Sequence, residues 1–240
     1  FRENGGEGSR VVVIAHQPEN ILRNVNQFRP LLYPVTLRFK PRFRLDPDGR
    51  LELVDAPLIP VERYAAFVRR PEDVLEDEYF LPGGPSGVRH ARFPFTWTLF
   101  RAAAHFHIVS ELAGTPWYAD FYEPDHPSRA LQVTAGILEQ FVELATQRER
   151  TSVLAILPNS IDLRYRQSDG RWVFENLLVE LQRRGHTPHN LGDEILRRLG
   201  DADPCSLFTS CNGHYSVRGY RLIAEIMADL VSPLLDSAPR

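Results

Sequence analysis

The sequence predicts an α/β protein built on a mostly parallel sheet. Three observations carry that expectation. The β-branched run VVVIAH, residues 11–16, lacks polar alternation, as a strand covered on both faces requires. A second such run, SVLAILP, occupies residues 152–158. Segments of helical spacing lie between and after the two runs, and strands that alternate with helices pair in parallel through crossover connections.

Each element follows from its own pattern. After the first strand, QPENILRNVNQFRP reads as a polar loop or a short helical turn. LRFKPRFRLDPDGRLELVDAPLIP alternates around a PDG turn at 47–49, a β-hairpin signal. VERYAAFVRR and PEDVLEDEYF are short helical pieces, and LPGGPSGVRHARFP is a Gly/Pro loop. TWTLFRAAAHFHIVSELAG reads as one helix ending at Gly114. Residues 30–120 are expected to form an insertion over the main sheet. Leu131, Thr134, Leu138, Phe141 and Ala145 then recur at helical spacing. WVFENLLVELQRRG is a helix stopped by Gly185, and HTPHNLGDEILRRLG is an extended link followed by a short helix. A last helix, from about Ser216 to Leu230, carries Leu222, Ile223, Ile226 and Leu230 on one face.

Composition bounds the function. The 240 residues are 43% hydrophobic, enough for a buried core and too apolar for disorder. A net charge of −3, with arginines scattered among acids, offers no basic face for nucleic acid or an anionic membrane. No apolar run approaches the ~20 residues of a membrane span. The chain begins FRENGGEGSR, without Met or a visible signal peptide, so the true N-terminus, and with it any signal or anchor, is expected to lie upstream. Cys205 and Cys211 fit either free thiols of a cytosolic protein or a small disulfide loop of an oxidising compartment.

His214 stands in a polar loop that leads into the last helix, flanked by Gly213 and Gly219. An imidazole titrates near neutrality, which suits general acid/base work. The other reading is a hydrogen-bonded loop histidine. Metal chemistry is not expected. His105 and His107 lie two apart on a helix and do not face one ligand. The histidines of DHP (125–127) and HTPH (186–189) lack a two-His-plus-carboxylate set. Trp97, Trp117 and Trp172, with Phe93, Phe95 and Tyr118, read as core or as a substrate groove.

The block GHYSVRGYRLIAEIM resembles the last conserved block of SGNH (GDSL-type) hydrolases. There a His is followed by an aromatic residue or Pro, then Asn or Ser, then Gly and an apolar helix. His214, Ser216, Gly219 and RLIAEI match it. VVVIAH with QPENILRNVNQFRP is similar to the family's third block, whose Asn donates its amide to the oxyanion hole. Asn20 stands in the matching place, Asn24 and Asn26 compete with it, and a turn or cap role is the structural alternative. KPRF-L, a DG-LEL hairpin and an A-ILE-F helix before VLAILP resemble a subset of the same family.

The resemblance implies a three-layer α/β/α sandwich over residues 1–240 that lacks its first strands. It implies ester hydrolysis or acyl transfer by a Ser-His mechanism, without a cofactor, on a small acyl ester or acylated sugar. The family's Gly-Asp-Ser does not occur in the chain, and GGPSG at 83–87 lies in a loop rather than at a strand end. The nucleophile is therefore expected upstream, and the 240 residues alone are expected to be inactive. The family's Asp before the His is replaced by Cys211 and Asn212. Asp203 or Asp201 folding back, both as ordinary turn residues, or a Ser-His dyad with a backbone carbonyl orienting the ring all stay open. A non-catalytic binding module that has lost its nucleophile is the alternative function.

Overall fold

The computed structural model describes residues 8–32, 38–75, 78–84, 86–87, 93–103 and 105–237. In chain order the elements are β1 (Val11–His16), α1 (Ile21–Asn24), β2 (Arg42–Leu45), β3 (Leu51–Val54), α2 (Tyr64–Arg69), α3 (Phe95–Ala103), α4 (Phe106–Ala113), α5 (Ala130–Gln147), β4 (Thr151–Ile156), α6 (Ser160–Asp169), α7 (Glu175–Arg183), β5 (His189–Asn190), α8 (Leu191–Leu199) and α9 (Val217–Ser237). The polar lead at 1–7, Glu76 and Asp77 of PEDVLEDEYF, and Pro85 with residues 88–92 of the Gly/Pro loop lie outside the described residues. Two compact units divide the chain, Phe1–Pro18 with Ala135–Arg240, and Glu19–Thr134.

The first unit is mixed α/β, with a parallel sheet of order β1-β4-β5. Val11 pairs Thr151 and the register runs to His16 opposite Ile156; Ala155 and Ile156 of β4 pair His189 and Asn190 of β5. β4 is central, and Val153, Leu154, Ala155 and Ile156 are buried. The unbroken apolar run therefore means burial on both faces for β4. It does not for β1, which among the described residues pairs with β4 alone and leaves Val13 40% exposed.

Helix α6 is not anticipated by sequence periodicity, because SIDLRYRQSD has no apolar stripe. A capping box starts it. Asn159 Oδ1 accepts from the Ile161 and Asp162 N–H groups at 2.9 and 3.0 Å, and Asp162 Oδ2 accepts from the Asn159 N–H at 2.9 Å. Gly170, at φ 72°, ends it. Of the predicted stripe on α5, Leu131, Thr134, Leu138 and Ala145 are buried and Phe141 is half-buried. α9 runs past Leu230 to Ser237.

In the second unit the expected hairpin forms, with Arg42 opposite Val54 and Leu45 opposite Leu51. Gly49, at φ 80°, supplies the left-handed turn residue. The expected single helix at 96–114 is two helices. The two are separated at His105, whose carbonyl accepts from Ile108 and Val109 to start α4 and whose ring meets the Ser86 carbonyl at 3.2 Å. Phe28, Phe67 and Leu75 form a core cluster joined by Phe39, with the Phe28 and Phe39 rings stacked at 4.6 Å.

Glu78 organises the start of this unit. Its buried carboxylate accepts from the backbone N–H groups of Gln27, Phe28 and Phe80 at 2.5, 3.0 and 3.2 Å, and from Asn26 Nδ2 at 3.3 Å. Glu78→Ala would leave these buried donors without an acceptor. A loss of about 3 kcal/mol in urea unfolding is expected; a change below about 1 kcal/mol would contradict the role.

Candidate functional site

The loop that carries His214 is closed on itself before α9 begins. A disulfide joins Cys205 to Cys211, which settles the open question of the two cysteines. Phe208 and Tyr215 form an antiparallel bridge with ring centroids 4.2 Å apart. The His214 carbonyl accepts from the Thr209 N–H at 2.9 Å. Ser216 then starts the helix. Its hydroxyl donates to the Leu207 carbonyl at 3.0 Å and accepts from the Gly219 N–H at 3.2 Å.

The same loop is fastened to the carboxyl end of β4. The Tyr215 hydroxyl donates to the Pro158 carbonyl, and the Ser160 hydroxyl donates to the Cys211 carbonyl. Burial, with the negative charge of Asp162 nearby, pushes the Tyr215 phenol far above its ordinary value, so it stays a donor. In open parallel sheets, ligands bind outside the carboxyl ends of the strands. The Gly-His loop is held at that end of the sheet.

His214 itself is exposed, and its ring makes no hydrogen bond or ion pair among the described residues. Asp203 is not brought to it. The Asp203 carboxylate accepts from the Cys205 N–H at 2.9 Å as the cap of a short 3-10 turn. Asn212 is exposed in the loop.

Asn20 belongs to the second unit, and there the three asparagines separate. Asn24 Nδ2 donates to Thr134 Oγ1 at 2.9 Å. Asn26 Nδ2 donates to the Phe28 carbonyl at 3.0 Å and to Glu78. Both serve the unit's own structure. Asn20 immediately precedes α1, yet its side chain makes no capping bond, and its Oδ1 is buried without a hydrogen-bond partner. The segment after it is clamped by the KPRF text. Lys40 Nζ donates to the Arg23 carbonyl, and Arg42 Nη1 donates to the Val25 carbonyl at 2.9 Å. Burial lowers the Lys40 ammonium to about 8, against the pull of Glu78.

His16 carries no motif that marks it in the sequence. It ends β1 and is buried, and burial alone holds its pKa at about 4, so it stays neutral. The available signal was a histidine closing a β-branched run. Of the tryptophans, Trp172 is buried, with Nε1 donating to Asp193 at 3.0 Å, and Trp117 stacks on His107 at 4.6 Å. Trp97 is exposed. Among the described residues no His, Cys, Asp or Glu side chains form a metal-binding group.

No family model matches the chain, and neither curated proteins nor solved structures supply a match.

Two expectations follow. A Cβ at Gly219 would overlap the Leu207 carbonyl oxygen and lie 2.7 Å from the Tyr215 ring. Gly219→Ala should therefore cost about 1–3 kcal/mol in chemical unfolding, although Ala is the better helix former; a stabilised variant would contradict this packing. His16 takes up a proton on unfolding between its ordinary 6.5 and about 4. Its contribution is complete above pH 6.5 and falls as pH drops through that window, by about 3 kcal/mol at pH 4. His16→Gln should remove that part of the acid destabilisation, and an unchanged pH profile would contradict the assignment.

Proposed function

We propose that the chain is the base-carrying part of an SGNH-type serine ester hydrolase or acyltransferase. Its parallel sheet would then be the middle layer of a three-layer sandwich, and residues 30–120 its substrate-shaping insertion. The observation that carries the reading is the loop of His214, fastened through Tyr215 and Ser160 to the carboxyl end of β4 with its ring exposed. The resemblance of GHYSVRG and of the Asn20 segment to family blocks supports it.

In this reading a serine from a Gly-Asp-Ser block upstream attacks the acyl carbonyl of a small ester or acylated sugar. His214 takes the serine proton and delivers it to the departing alkoxide. Water then attacks the acyl-serine, losing its proton to His214, and the serine is regenerated. Asn20 is assigned the oxyanion, as the asparagine whose amide no structural bond engages. No carboxylate bonds the His214 ring among the described residues, so the pair works as a Ser-His dyad. The full triad loses about 10⁴-fold when its carboxylate is replaced by an amide, and slow turnover is expected here.

The same gap favours the second reading, a binding module without catalysis. Hydrolysis of a short-chain p-nitrophenyl ester separates them. With the upstream sequence restored, the protein should turn over, and His214→Ala should lower kcat by about 10²- to 10⁴-fold. The 240 residues alone should be inactive. Turnover that ignores His214→Ala contradicts the assignment, and absence of turnover with the upstream sequence restored supports the binding module.

A further inference from the structure

Helix α6 reaches the His214 loop at Cys211 twice. Ser160 donates its hydroxyl to the Cys211 carbonyl, and Arg164, one turn further along the same face, brings Nη1 to 3.6 Å from Cys211 Sγ. The loop folds back between Thr209 and His214, where the Thr209 N–H bonds the His214 carbonyl. Cys211 and His214 are three residues apart, so roughly 10 Å of chain at most separates them. A guanidinium is thus held beside the loop that presents the His214 ring, and both side chains are exposed.

Other arginines of this unit are neutralised. Arg183 and Arg184, at the end of α7, meet Glu180 at 2.8 and 2.7 Å. Arg197 and Arg198, in the last turn of α8, both meet Glu194 at 2.5 Å. Arg164 makes no ion pair among the described residues, and neither do Arg218 and Arg221, which are exposed four and seven residues after His214. The adjoining sequence offers no counter-charge, because Pro204 to Ala224 contains neither Asp nor Glu. Asp203 accepts from the Cys205 N–H, and Asp162 of α6 is buried and accepts from the Asn159 N–H. The net charge of −3 averages over this local excess of positive charge.

The guanidinium selects its ligand by shape. With Nη1 turned to a sulfur, a weak acceptor, Nε and Nη2 remain as one two-pronged donor edge. Such an edge matches the two oxygens of a carboxylate. We propose that Arg164 is a specificity-determining residue of the His214 site and that the ester acted on there carries a carboxylate, which Arg164 receives. The ester rests on the hydrolase reading; capture of the carboxylate does not.

Two measurements test the assignment. With the upstream sequence restored, kcat/KM is compared for p-nitrophenyl hydrogen glutarate and p-nitrophenyl valerate, which match in chain length. At least a tenfold preference for the anionic ester is expected, carried by a lower KM. Arg164→Gln should bring the ratio to about one, and Arg164→Lys should keep part of it. Each ratio is taken within one variant, so a general loss of folded enzyme does not imitate the effect. Separately, the 240-residue chain is titrated with methyl hydrogen succinate, methyl phosphate and methyl acetate. The NMR signal of the Arg164 Nε–H should shift with the succinate and stay in place with methyl acetate. Turnover that depends on His214 but shows no preference, or a preference that survives Arg164→Gln, overturns the proposal and leaves the hydrolase reading standing. Absence of turnover on both esters overturns that reading and the ester with it, and a signal unmoved by succinate, or moved by phosphate alone, overturns capture of the carboxylate.

Discussion

Strand β4 is paired on both sides, and its last four residues are buried, so the segment that leaves it is fixed before any loop is added. The capping box of Asn159 and Asp162 holds the next turn. That leaves the Pro158 carbonyl and the Ser160 hydroxyl as rigid anchor points, and the loop of His214 bonds to both. The disulfide and the Phe208–Tyr215 bridge limit what the loop can do between those anchors. Order therefore passes from strand to cap to loop, and ends at a histidine ring that is itself exposed.

The exposed His214 ring needs no protein partner, because water satisfies its nitrogens, and it stays open to a ligand. His214 spends only its backbone, through the bond from Thr209. Asn20 shows the same economy of contact in the other unit, beside Asn24 and Asn26, whose amides are engaged. A preorganised backbone with an unengaged side chain is what acid/base and oxyanion roles require.

The sequence made periodic elements legible. The PDG hairpin, the buried stripe of α5 and the opening of α9 rest on spacings that packing then used. Helix α6 was not legible by that route, because its start depends on side chain-to-backbone bonds and not on an apolar face. The interruption at His105 and the half-open face of β1 depend on partners distant in sequence or on pairing order, which local pattern does not encode. At the site, the text identified His214 and three competing asparagines. It took the bonds of Asn24 and Asn26 to separate the three, and burial at the end of β1 to bring His16 into view.

The claim that joins these parts is that His214 activates a serine. Labelling by a fluorophosphonate probe measures this most directly, because the probe reports the nucleophilicity of that serine without a leaving-group step to protonate. With the upstream sequence restored, the account predicts one labelled serine, in a Gly-Asp-Ser block, and a labelling rate at least 10²-fold lower in His214→Gln. Labelling that proceeds at the same rate in the variant, or no labelling at all, would contradict it.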